Sequence, residues 1–116
     1  MRHDAERLRD ILEAIERILR YTKRGRDAFN SDELVQTWIV HHLQIIGEAC
    51  REISRGFRSV HPEVPWIQIA GMRNVLVHAY FSVNLDRVWA AAEKDVPDLK
   101  SQITRLLEAM PPPAGE

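Results

Sequence analysis

Apolar residues recur at three- and four-residue intervals along almost the whole of this 116-residue chain, and no stretch shows the strict alternation of a strand. A chain patterned this way can bury its apolar stripes only by packing helix on helix, so it is expected to be all-α, an antiparallel bundle of four to five helices. The first stripe, Leu8, Ile11, Leu12, Ile15, Ile18 and Leu19, spans roughly Asp4 to Lys23. Asn30 followed by Glu33 resembles a capping box and predicts a second helix running to about Ser54, with Leu34, Trp38, Ile45, Ile46, Ala49 and Ile53 inward. Gly47 within it suggests a close helix crossing, because glycine there costs about 1 kcal/mol against alanine. Arg55-Gly56 is read as its end, and His61 to Pro65 as a stiff connector, since each proline fixes φ and biases its predecessor away from helix. A third helix follows from about Trp66 to Tyr80, with Gly71 marking a bend or a tight contact. Asn84 caps a fourth, which Asp95-Val96-Pro97 kinks or restarts before Leu99, Ile103, Leu106, Leu107 and Met110. Residues 1–110 read as one domain and Pro111 to Glu116 as a disordered tail.

Composition removes several classes of function. With 45% apolar residues the chain can build a core without disulfides or metal, and its single cysteine, Cys50, has no internal partner. A reducing, cytoplasmic setting is the expectation: the first twenty residues alternate charge with hydrophobicity, unlike a signal peptide, and no run is long enough to span a bilayer. No paired cysteines or His-Glu-x-x-His arrangement suggests a metal site, no Gly-rich loop suggests a nucleotide cofactor, and Cys50 lacks a sequence neighbour to activate it. A formal net charge of −1 gives no global attraction to nucleic acid, so any such site must be a local basic patch.

The third helix carries the candidate site. Met72, Val75, Leu76 and Ala79 form its core-facing stripe, which leaves Arg73, Asn74 and His78 on the other side. Arg73 and Tyr80 fall at i, i+7 and Asn74 and His78 at i, i+4, so two polar columns stand side by side with Val77 between them. These side chains suit phosphodiester chemistry, although Arg-x4-His alone also arises on an ordinary solvated helix face. Val77 and Phe81 beside the polar columns make that outer face mixed, which predicts burial against a second copy in a homodimer. Arg51, Arg55 and Arg58, with His61, are candidates for a phosphate-tracking surface; a charged helix terminus is the plainer alternative. His42 is expected to be a partly buried, hydrogen-bonded residue rather than a ligand, with His41 turned toward Glu48 and Glu52. Trp38, Trp66 and Trp89 are read as core anchors.

The order of Ile45-Ile46-Gly47-Glu48-Ala49, His61-Pro62-Glu63-Val64-Pro65-Trp66, the run Gly71 to Phe81, Val88-Trp89 and Asp95-Val96-Pro97-Asp98-Leu99 resembles the HepT-like family, also known as DUF86, of the HEPN superfamily. Tyr21-Thr22-Lys23 before Phe29 fits the same pattern. The resemblance implies an all-helical, dimeric toxin of a toxin–antitoxin pair, with an Arg-x4-His-x-Tyr signature on Arg73, His78 and Tyr80 and a polar residue at Asn74. It further implies a metal-independent ribonuclease, silenced when a small MntA-like nucleotidyltransferase moves AMP onto Tyr80. The side chains agree with that chemistry. His78 can transfer a proton, Arg73 can meet phosphate oxygens, and Asn74 can donate to them or orient the imidazole. One histidine cannot act as acid and base in one step, so a dimer supplies the second His78. The competing class is a non-catalytic helical subunit that partners a nucleotidyltransferase, in which Arg73 only holds a phosphate. A helical dimer without ligand is the third possibility.

Overall fold

A computed structural model describes residues 2–71 and 84–110, with side chains from residue 3 onward. The described residues are helical with short connections and contain no strand, the all-α architecture expected. The long helices are α1 (Arg2–Thr22), α3 (Glu33–Glu52) and α7 (Val96–Ala109). Between them lie α2 (Arg26–Ser31), α4 (Arg55–Val60), the helical residues 66–71, here α5, and α6 (Leu85–Ala90). The expected continuation of the third helix to Tyr80 and the expected disordered tail lie outside the described residues.

The stripe of α1 is buried as expected, with Leu8, Ile11, Ile15 and Ile18 facing α3 and α7. On α3 the buried face is Val35, Ile39, His42, Leu43, Ile46, Gly47, Ala49 and Cys50. Leu34, expected inside, is 81% exposed, and Trp38 and Ile45 are half-buried. The helix also starts two residues later than the capping box implied. Asp32, not Asn30, caps α3 by accepting from the Leu34 amide at 3.0 Å, while Asn30 sits inside α2. Trp38 still ties α3 to α1, since its indole N–H donates to the Arg17 carbonyl at 3.0 Å.

Arg55-Gly56 does not end the preceding helix but opens α4. Ile53 leaves helical geometry, and Ser54 caps the new turn by accepting from the Phe57 amide. The same Ser54 is clasped by Asp4, whose carboxylate accepts from the Ser54 amide at 2.8 Å and from its hydroxyl at 2.7 Å. Asp4 is 2% exposed, so these two bonds satisfy a charge that burial alone would make costly, and they lock the N-terminus of α1 to the α3–α4 corner.

The fourth helix begins as expected. Asn84 Oδ1 accepts from the Arg87 amide at 3.2 Å, and Val88, Trp89 and Ala92 are buried. Pro97 stands in the first turn of α7, after an interruption of the regular winding. Ala91–Asp95 winds as a π turn that passes directly into α7. Proline lacks the N–H of a regular turn and its ring crowds the carbonyl four residues back, so one wider turn takes up the misfit. Leu99, Ile103 and Leu106 then continue the apolar face onto α1. Among the described residues no helix is long and apolar enough to cross a membrane.

Candidate functional site

Arg73, Asn74, His78 and Tyr80 lie outside the described residues; what the structure provides is the frame at both ends of their segment. On the upstream side, the Trp66 amide donates to the Val64 carbonyl at 2.9 Å and the Trp66 indole N–H to the His61 carbonyl at 2.9 Å. Phe57 packs edge-on to Trp66 and against the His61 ring. The connector is therefore folded back on the first turn of α5, and buried Ile69 pins the next turn. Downstream, the Asn84 cap and buried Trp89 fix where the chain rejoins the bundle. A cleft of about 600 Å3 is lined by Leu43, Ile46, Ile69, Ala91, Val96 and Leu99 among its apolar residues and by Arg87 and Asp95 among its charged ones. Gln102 spans from α7 to the connector, donating to the Glu63 carbonyl at 3.0 Å. Beyond its own helix, no described residue lies within 4 Å of where a side chain at Gly71 would begin, so the tight contact expected there is not with another described element.

Of the three candidate phosphate-binding arginines, the structure brings two together. Arg55 and Arg58 line a groove of about 550 Å3 with Ser59, Trp66, Ile67 and Gln68. Arg51 is exposed in the last turn of α3 and does not line it. Ser59 and Gln68 were not expected there, because the groove exists only once α4 forms; a serine at position 54 ahead of three non-proline residues was the available signal. Arg58 Nε is shielded from solvent and has no hydrogen-bond partner among the described residues, and an unpaired buried donor costs about 1–3 kcal/mol.

The Cys50 thiol is pushed up to about 12 by burial, against a smaller opposing pull from the Arg58 charge, so it is held as an unreactive thiol. His42 is 3% exposed and its Nδ1 stands 2.8 Å from the Trp38 carbonyl. A carbonyl only accepts, so Nδ1 carries the proton and donates, the structural role expected for this residue. Glu48 and Glu52 share a cleft with His42, together with Asp10, Glu13, Arg7 and Arg17. His41, expected on their side, instead lines a groove with Tyr21, Arg24, Thr37 and Trp38. Among the described residues no three His, Cys, Asp or Glu side chains are grouped to hold a metal ion.

Burial lowers the His42 pKa below its usual 6.5, and the His41 and Arg17 charges lower it further, against the Trp38 hydrogen bond and the Glu13 charge. Between that lowered value and about 6.5 the unfolded chain binds a proton that the folded chain does not, so stability rises with pH across this window and its His42 contribution is flat above it. Thermal melts from pH 5 to 7.5 should show the wild type losing more stability in acid than His42→Gln does. Identical slopes for the two proteins count against this assignment.

The family model described as ribonuclease HepT-like matches residues 11–106. A Thermococcus cleftensis protein named probable ribonuclease HepT is 40% identical over 100 residues, which are 85% of this chain and 91% of that protein. A Methanocaldococcus jannaschii protein named as a gamma-glutamylcyclotransferase and proposed RNase is 37% identical over 104 residues, 89% of this chain but 47% of its own length. A second protein of that organism, named as a proposed RNase, is 35% identical over 97 residues, 83% of this chain and 89% of its own. No solved structure matches the chain.

Proposed function

Because this chain belongs to the HepT-like ribonuclease family, we propose that it is an endoribonuclease toxin that cleaves RNA without a metal ion, at a site shared by two protomers. The observation that carries this reading is that the family match over residues 11–106 spans the whole Arg73, Asn74, His78, Tyr80 constellation. The substrate's 2′-hydroxyl attacks the adjacent phosphorus, a new P–O bond forms, and the bond to the 5′-oxygen breaks. A proton must leave the nucleophile and another must reach the departing oxygen, which is the work of His78 and its copy in the partner protomer. Arg73, permanently charged and fork-shaped, meets the oxygens that gain charge at phosphorus, and Asn74 adds a neutral donor.

Regulation follows from Tyr80. A small MntA-like nucleotidyltransferase, the cognate antitoxin, transfers AMP from ATP to the tyrosine hydroxyl and releases pyrophosphate. The attached AMP brings bulk and negative charge to the place where substrate phosphate must lie, and so excludes RNA. The purified protein is expected to cleave RNA in EDTA and its expression to arrest growth, while Arg73→Ala does neither; equal behaviour of the two rejects the enzyme reading. Mass spectrometry after co-expression with the nucleotidyltransferase is expected to find an added adenylyl group on Tyr80 that is absent from Tyr80→Phe. An unmodified tyrosine argues against this form of control.

A further inference from the structure

Arg55 and Arg58 stand at i, i+3 on the six-residue α4, neighbouring positions at which like charges repel. Arg58 lies in the last turn, where a cation is favoured, but Arg55 opens the helix, where it is not, and the first turn holds no acid to compensate. Among the described residues neither guanidinium has a carboxylate partner; Glu63, which also lines the groove, is directed to His61, with Nδ1 and Oε2 3.5 Å apart. Two like charges gathered in one concavity, whose one lining carboxylate is turned to His61, are arranged for an anion that comes from outside. Gln68 can donate to an anion's oxygens, the Ser59 hydroxyl is held by the Arg55 carbonyl at 3.0 Å, and Pro62, Val64, Pro65, Trp66 and Ile67 offer an apolar floor. Ile67 is 79% exposed, so part of that floor is open to a ligand. Cationic walls above an exposed apolar surface suit a single strand, whose backbone tracks the charges while its unpaired bases rest on apolar groups. The groove is built on the first turns of α5, and Gln68 precedes Arg73 by five residues in the chain.

We propose that the groove between α4 and the start of α5 is a backbone-binding subsite for single-stranded RNA, in which Arg55 and Arg58 each neutralise one phosphate. The identity of the ligand rests on the ribonuclease reading; the unpaired charge in the groove does not. Arg51, outside the lining, takes no part.

The probe is a fluorescent 2′-O-methyl oligonucleotide, which lacks the attacking hydroxyl and so reports binding without cleavage. Its affinity is measured by anisotropy over a range of salt concentrations. Each phosphate contact to a single strand contributes about 0.7 to the slope of log affinity against log salt, so Arg55→Gln/Arg58→Gln is expected to lower the slope by about 1.4. Arg51→Gln should leave it unchanged. Because Arg58 is half-buried, Ser59→Glu provides a second arm at an exposed position: its carboxylate in the groove should weaken binding, while loss of the exposed hydroxyl's bond to the Arg55 carbonyl should leave the protein folded in a thermal melt. A wild type that does not bind the oligonucleotide overturns the proposal, as does a slope that survives the double substitution together with unimpaired binding by Ser59→Glu. If the unchanged slope belongs to a protein that cleaves RNA, the groove fails and the ribonuclease reading stands. If the slope falls by the expected amount in a protein that never cleaves, the groove stands and the ribonuclease reading fails.

Discussion

Replacing His78 with alanine is expected to slow RNA cleavage by a factor between about 10² and 10⁴, the range contributed by a positioned proton-transfer group. A homodimer of the variant loses acid and base together, so the effect should fall toward the upper end. The composite site makes a sharper prediction in mixtures. When wild-type and His78→Ala chains are combined in equal amounts and allowed to reassort, about a quarter of the dimers are wild type in both halves. If one proton-transfer group comes from each protomer, cleavage falls to about a quarter of the unmixed rate and varies as the square of the wild-type fraction. A linear decline, with half the rate left at equal mixing, means that each protomer carries a complete site. That result removes the shared-site proposal without touching the role of His78. Anisotropy with the 2′-O-methyl oligonucleotide separates chemistry from binding, because His78→Ala should bind it about as tightly as wild type.

The long helices were legible because their period has one solution. Leu8 to Leu19 on α1 and Leu99 to Leu106 on α7 each define a single apolar face, and those faces are the ones buried. On α3 the pattern was ambiguous: Leu34 and Val35, Trp38 and Ile39, and Ile45 and Ile46 are adjacent apolar pairs, so two stripes one residue apart satisfy the same spacing. Packing against α1 decides between them, with Val35 and Ile39 inside and Leu34 in solvent. Short helices have no period to read. α2 and α4 span fewer than two full turns each, and they exist because Phe29 and the Asp4–Ser54 clasp hold them against longer neighbours. The Arg55–Arg58 groove depends on α4 and was therefore visible in sequence only as spaced charge. Pro97 marks a disturbance in the sequence, but its form, a turn wound wider through Ala91–Asp95, depends on the backbone of that helix and leaves no residue signature.

Truncating Phe29 to alanine is expected to cost about 3–5 kcal/mol, a large share of the roughly 5–15 kcal/mol that holds a domain of this size. Phe29 is fully buried, and its ring lies 5.3 Å from that of Trp89. It is also the one buried residue of α2, a helix far too short to persist by its own hydrogen bonds. Its carbonyl accepts from the Gln36 side chain at 2.9 Å, which links α2 to α3, and the Arg26–Asp86 ion pair links α2 to α6 at the surface. That exposed pair adds little, so the aromatic contact supplies most of what fixes α2 against α6. Since α6 begins at the Asn84 cap, loss of Phe29 loosens the downstream anchor of the segment that carries Arg73 and His78. With a urea m-value of about 2 kcal/mol/M, the unfolding midpoint should drop by about 2 M. Leu34→Ala is the matched control: it removes a large apolar side chain that stands in solvent, and should shift stability by no more than about 0.5 kcal/mol. Equal shifts for the two variants would mean that the face of α3 anchored by Asp32 is not the one turned inward, and that α2 contributes nothing to the core.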